Sequence, residues 1–132
     1  GTFNNNIMTM TAGLAGITKL FTPEACIELN KKGDVFRARL NKTIQERSLP
    51  IQVTGLESMN NVHFTDVPME RPYTDPVSSR KGDLMHLDRL KSGVYLARRG
   101  MMNLSLPMTD TDIDFAVSAF EEFLDSRRAI LK

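Results

Sequence analysis

The sequence holds one cysteine, Cys26, and no tryptophan. A single thiol excludes an internal disulfide and any multi-cysteine zinc site, and it fits a reducing compartment. A surplus of one charge sign is missing as well: seventeen Lys and Arg stand against sixteen Asp and Glu, mixed along the chain. That balance removes the electrostatic footprint of a nucleic-acid binder or of a polybasic membrane contact. No apolar run approaches the roughly 20 residues a spanning helix needs, and no signal-peptide pattern opens the chain. These absences predict a soluble, cytoplasmic protein with neither nucleic acid nor membrane as partner. Metal chemistry is unsupported too, because His63 and His86 are far apart and neither has a Cys or His at ligand spacing. Asp66, Glu70, Asp75 and Asp83 are scattered, and no Gly-rich phosphate loop or nucleophile elbow is present.

What is present is one domain's worth of chain: 132 residues with no linker or repeat dividing them. A chain of this length buries about two-thirds of its unfolded surface and needs no staple. It opens Gly1-Thr2-Phe3 instead of Met and runs straight into a patterned segment, so it reads as a piece of something longer.

Helical spacing of Met8, Ala12, Ala15 and Leu20 predicts a first helix from Asn5 to about Leu20. Gly13 and Gly16 inside it suit a close backbone contact, either with another helix of this domain or across a subunit interface. Thr22-Pro23-Glu24 is a helix start, with a capping hydroxyl, proline at the first helical position and a carboxylate on the positive end of the dipole. Ala25, Leu29, Phe36, Leu40 and Ile44 form its stripe, Gly33 interrupts it without ending it, and the helix stops near Ser48-Leu49-Pro50.

Alternation over Ile51–Thr54, broken by Gly55, and over Met59–Thr65 predicts two strands, with Val62 and Phe64 on one face and Asn61, His63 and Thr65 on the other. Prolines 68, 72 and 76 make Asp66–Pro76 a loop. A third helix, Lys81–Ser92, turns Leu84, Leu87 and Leu90 inward, leaves His86 outside and ends at Gly93. Val94–Leu96 and Met102–Leu106 read as two further strands around Ala97-Arg98-Arg99-Gly100. Thr109 and Asp112 form a capping box, with Asp in place of the usual Glu. Ile113, Ala116, Val117, Phe120, Phe123 and Leu124 then line the last helix, and Arg127, Arg128 and Lys132 complement its negative end. This order predicts an α+β fold: a two-layer domain whose antiparallel sheet of three to four strands is covered by helices.

Cys26, beside a helix start, reads as a structural thiol. Two spots rise above that background. Gly1 to Asn6 leads a helix with free amides, a hydroxyl and side-chain amides, which either bind an anion or only cap the helix. Arg98-Arg99 between two apolar segments suits recognition of a carboxylate or phosphate, or else is a pair of solvated charges.

At these residues the sequence resembles a known family. Gly1-Thr2-Phe3-Asn4-Asn5-Asn6 followed by Met10-Thr11-Ala12-Gly13-Leu14-Ala15 resembles a segment of the class III aminotransferases, in particular their glutamate-1-semialdehyde aminomutase-like branch. Val53–Met59 with Val62–Thr65, Gly93–Leu96, Leu104–Leu106 and Thr109–Asp114 are similar to later segments of that family, in the family's order. The resemblance implies the C-terminal small domain of a fold-type I enzyme dependent on pyridoxal 5'-phosphate, with residues 1–21 as a connecting interface helix and 22–132 as the α+β body. It further implies a homodimer, an upstream large domain carrying the Schiff-base lysine, and amino-acid and keto-acid substrates. Gly1 and Thr2 take the place of residues that reach the cofactor phosphate across the dimer, so no catalytic residue is expected in this chain, and alone it should be inactive. Asn6 sits where the family has Asn, whereas Ile7 replaces the Pro that usually follows. Where the aminomutases carry a Glu-Ala-Gly run, this chain has Arg98-Arg99-Gly100. That exchange favours ordinary transamination, with Arg98 or Arg99 binding a substrate carboxylate. Aminomutase activity and a non-catalytic α+β interaction module are the competing readings.

Overall fold

The computed structural model describes residues 6–69 and 76–132. Gly1, Thr2 and most of the predicted 66–76 loop therefore lie outside the described residues. The described chain has five α-helices and one three-stranded antiparallel sheet, in the order α1, α2, β1, β2, α3, β3, α4, α5.

Helix α1 (Ile7–Ala15) is capped by Asn6, whose Oδ1 accepts from the Met8 amide at 2.8 Å, and it continues into a π-helical turn over Gly16–Leu20. None of its residues is buried, and a Cβ on Gly13 or Gly16 would meet nothing within 4 Å. Among the described residues, these glycines therefore have no internal packing partner, against the internal helix contact that was one of the two expectations.

Helix α2 (Pro23–Glu46) begins as expected, with Thr22 Oγ1 accepting from the Ala25 amide at 3.3 Å. The first-turn position also holds the Glu24 carboxyl below its ordinary range, through a backbone hydrogen bond and the Thr22 hydroxyl. Leu29, Phe36, Leu40 and Ile44 are buried along one stripe. Gly33 does not interrupt it for a local reason: a Cβ there would lie 2.1 Å from the Glu57 carbonyl oxygen and 2.5 Å from Ser58 Cα. The hairpin turn rests directly on the bare helix backbone.

That hairpin joins β1 (Gln52–Leu56) to β2 (Met59–His63), in register from Gln52 opposite His63 to Leu56 opposite Met59. Gly55 does not end the strand; it lies within β1 because a side chain there would overlap the Met59 carbonyl at 2.2 Å. Val53, Val62 and Phe64 turn inward as the alternation requires. Asn41 on α2 fixes the edge of β1 with a two-pronged bond, accepting from the Val53 amide at 2.9 Å and donating to its carbonyl at 2.8 Å.

Helix α3 (Pro76–Lys91) starts earlier than predicted and faces differently. Met85 and Arg89 are the buried positions, whereas Leu87 and Leu90 are 56% and 44% exposed. His86 is not on the outer side; it is half-buried, with Nδ1 2.9 Å from the Leu96 carbonyl oxygen. Gly93 ends the segment at φ +82° as expected. Val94–Leu96 is not a strand: the Val94 amide donates to the Arg89 carbonyl, and no ladder partner takes it up among the described residues. The next strand is only β3 (Met101–Asn103), so the sheet has three strands in the order β1-β2-β3.

Helix α4 (Asp110–Ser126) carries the capping box, Asp112 accepting from the Thr109 amide at 2.8 Å while Thr109 accepts from the Asp112 amide at 3.2 Å. The Thr109 hydroxyl, which donates to Asp112 Oδ2 at 2.7 Å, and the Thr109 amide together hold the Asp112 carboxyl below its ordinary range. Thr109→Ala removes half of the box and should cost about 1 kcal/mol, read as a lower urea midpoint at unchanged slope. Its stripe buries Ile113, Val117, Phe120, Phe123 and Leu124 against α2 and the sheet in one core. Contacts from Lys32–Asp110 through Arg39–Asp114 and Thr43–Glu121 to Arg47–Asp125 show α2 and α4 running parallel. Arg127 does not complement the helix end: it makes a forked pair with Asp88 of α3 at 2.7 and 3.1 Å, and α5 (Arg128–Leu131) follows.

Candidate functional site

One groove of about 750 Å³ opens between α2, α4 and the segment that leads from Gly93 through β3. Its floor is core: Phe36 and Leu40 from α2, Ile113 and Phe120 from α4, and Leu96. Two cations line it, Arg89 and Arg99, and no lysine does among the described residues. At this wall the Val94 amide bonds the Arg89 carbonyl at the end of α3, and the Ala97 amide bonds the Met101 carbonyl.

The turn at the groove is tight. The Gly100 amide donates to the Ala97 carbonyl at 2.8 Å, and Gly100 has φ +86°, where a Cβ would lie 2.8 Å from the Val62 carbonyl oxygen. Only glycine fits both demands. The constraint fixes Arg98 and Arg99 one residue apart on a rigid reversal, where they project differently. Arg98 makes a forked pair with Asp83 at 2.5 and 2.8 Å, its side chain still 73% exposed. The pair raises the Arg98 pKa and holds the Asp83 carboxyl below its ordinary range. Arg99 lines the groove, and its bond is to the Met101 sulfur at 3.5 Å, a weak acceptor. The expected pair of arginines is therefore brought to one turn, one held by a carboxylate and the other without one.

The other anion candidate, Gly1 with Thr2, lies outside the described residues. Asn6 four positions on from Thr2 caps α1, so the segment leads onto a helix N-terminus. The two histidines do other work. His63 Nε2 lies 2.8 Å from Thr54 Oγ1 across the hairpin, and burial lowers its pKa. Cys26 is partly buried, 3.6 Å from Asn30 Nδ2. No grouping of His, Cys, Asp or Glu fit to hold a metal occurs among the described residues. No described helix is long and apolar enough to cross a membrane.

Arg89 was not visible as a site residue in sequence, because it falls between leucines assigned to the inward stripe. The available signal was its place four residues after Met85, on the face that is in fact buried. Its guanidinium sits 5.5 Å from the centre of the Phe123 ring.

No protein-family model matches the chain. It is 44% identical to a β-phenylalanine transaminase of Variovorax paradoxus over 133 residues, covering 99% of this chain and 30% of that protein. A crystal structure of a β-phenylalanine aminotransferase from the same species superposes with a TM-score of 0.92 at 41% identity, again over 99% of this chain and 31% of the other. A glutamate-1-semialdehyde 2,1-aminomutase of Methanopyrus kandleri is 33% identical over 130 residues, 95% of this chain and 30% of that protein. A PLP form of the FumI protein of Sphingopyxis sp. MTA144 superposes with a TM-score of 0.68 at 25% identity, over 94% of this chain and 28% of the other. The chain thus spans about 30% of the length of the curated relatives it matches. By sequence and by fold it belongs to the class III, pyridoxal-phosphate-dependent aminotransferases, the group that also holds the glutamate-1-semialdehyde aminomutases.

Proposed function

We propose that the protein containing this chain is a cytoplasmic, homodimeric aminotransferase that uses pyridoxal 5'-phosphate to move an amino group between an amino acid, β-amino acid or amine and a keto acid. This chain is its C-terminal small domain, residues 1–21 connecting it to an upstream large domain and 22–132 forming the body. The observation that carries the reading is the match of 99% of this chain to a stretch making up 30% of a β-phenylalanine transaminase, together with a guanidinium-bearing turn on an apolar groove.

The residues present fit part of the cofactor's needs. A segment with Gly1 and Thr2 before a capped helix N-terminus suits a phosphate, through a hydroxyl, backbone amides and the positive end of the helix dipole. When bound, pyridoxal phosphate supplies the electron sink. The work of this chain is recognition. Arg98 or Arg99 pairs with the substrate carboxylate, Arg99 being the one with no carboxylate of its own and Arg98 being held ready by Asp83. The apolar floor takes the rest of the substrate and excludes water from it.

The exposed face of the first helix supports the dimer. Ile7, Met8, Met10, Leu14, Ile17 and Leu20 are all exposed, more contiguous apolar surface than a solvated helix carries.

Aminomutase activity is the second reading, favoured by the similarity to the Methanopyrus protein. It differs in outcome: a mutase returns the amino group to the same carbon skeleton. The full-length protein given an amino donor and a separate keto acid should produce the new amino acid and the donor's keto product in equal amounts, and the 132-residue chain alone should produce neither. Isomerisation without net transfer would favour the mutase. An inert full-length protein would favour a non-catalytic module.

A further inference from the structure

Arg99 and Met101 meet across the Gly100 turn in a contact that the proposed function does not use. The turn is pinned at three points. The Gly100 amide donates to the Ala97 carbonyl at 2.8 Å, the Ala97 amide to the Met101 carbonyl at 3.2 Å, and the Val62 amide to the Gly100 carbonyl at 3.1 Å. Two side chains on so fixed a frame meet with little further loss of backbone freedom. Arg99 Nη2 donates to the Met101 sulfur at 3.5 Å, and among the described residues Met101 is the one methionine whose sulfur takes a hydrogen bond from an arginine. Met102 beside it packs on the core and Met85 is fully buried, whereas Met101 is 36% exposed.

We propose that Met101 is an oxidation-sensitive site: hydrogen peroxide converts its thioether to the sulfoxide, and the new oxygen captures the Arg99 guanidinium. In that step a sulfur lone pair attacks one oxygen of the peroxide. The S–O bond forms as the O–O bond breaks, and the proton of the attacked oxygen passes to the departing hydroxide, which leaves as water. Sulfur is oxidised and the peroxide reduced by the same electron pair. The exchange turns a weak acceptor into a strong one, because the polarised S–O bond concentrates negative charge on oxygen. Arg99 already donates to that sulfur, and a hydrogen bond from a guanidinium is of the stronger, charge-assisted kind. A dithiol-dependent sulfoxide reductase, removing the oxygen as water, returns the thioether and frees Arg99. One consequence rests on the assignment of Arg99 to the substrate carboxylate: a captured guanidinium must be released before a carboxylate binds, so oxidation raises KM for carboxylate-bearing donors.

The test treats the full-length protein with hydrogen peroxide and measures oxygen uptake at Met101 by peptide mass spectrometry. Modification of Arg99 by phenylglyoxal, a guanidine-specific reagent, is then followed on the same protein. Oxidised wild type should lose Arg99 reactivity by about fivefold or more, the scale of one hydrogen bond to a charged group, and methionine sulfoxide reductase should restore it. In Met101→Leu, similar in volume, peroxide should leave Arg99 reactivity where it was. Met101→Gln, whose amide oxygen stands in for the sulfoxide, should slow the reaction without peroxide, and serves should the Leu variant fold poorly. Three results would each overturn the proposal: unchanged Arg99 reactivity with Met101 fully oxidised, equal slowing in Met101→Leu, or a Met101 that stays reduced while the 56% exposed Met59 is oxidised. KM for a carboxylate-bearing donor should rise by a similar factor on oxidation. Slowed Arg99 with KM unmoved would support the capture and remove Arg99 from substrate recognition.

Discussion

Gly33→Ala should destabilise the domain by about 2–3 kcal/mol, although alanine is the better helix former. The new methyl group would sit 2.1 Å from the Glu57 carbonyl oxygen and 2.5 Å from Ser58 Cα. Both are backbone atoms, so relief requires the hairpin turn to lift from α2. Lifting it strains the Arg37 bond to the buried Asn60 amide oxygen at 3.1 Å as well. A clash this close, with backbone on the other side, sits at or above the top of the usual overpacking range, about 3–4 kcal/mol, and a helix-propensity gain of about 1 kcal/mol offsets part of it. Gly13→Ala is the matched control. Nothing among the described residues lies within 4 Å of its missing Cβ, so the same change there should stabilise by about 0.5–1 kcal/mol. Urea unfolding of both variants should move the midpoints in opposite directions; a midpoint for Gly33→Ala at or above wild type would mean that the turn is not seated on the helix.

Arg98→Ala and Arg99→Ala in the full-length protein should each raise KM for a carboxylate-bearing donor, with the largest effect roughly tenfold to a hundredfold, the scale of a hydrogen bond to a charged group. Donor amines without a carboxylate should be turned over with little change, which separates recognition from damage to the fold. Arg98→Ala also frees Asp83, so its thermal midpoint should fall slightly, whereas Arg99→Ala breaks no ion pair among the described residues. Unchanged KM in both variants would remove the carboxylate role from this turn.

Local signals in the sequence located those features that depend on neighbours in the chain. Thr109 with Asp112, Thr22 before Pro23, and Gly93 at a helix end each act within one turn, and all are found as read. Features set by distant atoms were not legible. Gly33 and Gly55 resemble breaks in sequence, but the reason for each is the backbone of a segment that folds over it. Val94–Leu96 alternates like a strand, yet among the described residues no strand comes to pair with it. On α3 the leucines misled, since Met85 and Arg89 face the core while Leu87 and Leu90 face out. An arginine in a core face contradicts the usual hydrophobic pattern, and so the groove's buried cation was hidden until the helices were in place. The doublet at Arg98 and Arg99 was legible as a candidate, but its division into a paired and an unpaired guanidinium depends on Asp83, fifteen residues earlier.

As proposed above, this chain serves a pyridoxal-phosphate enzyme that accepts and passes on an amino group. Visible absorbance of the purified full-length protein tests it most directly. A cofactor band should bleach when an amino donor is added alone and return when a keto acid follows. A protein that takes up no pyridoxal phosphate, or whose band is indifferent to every amino donor, would contradict it.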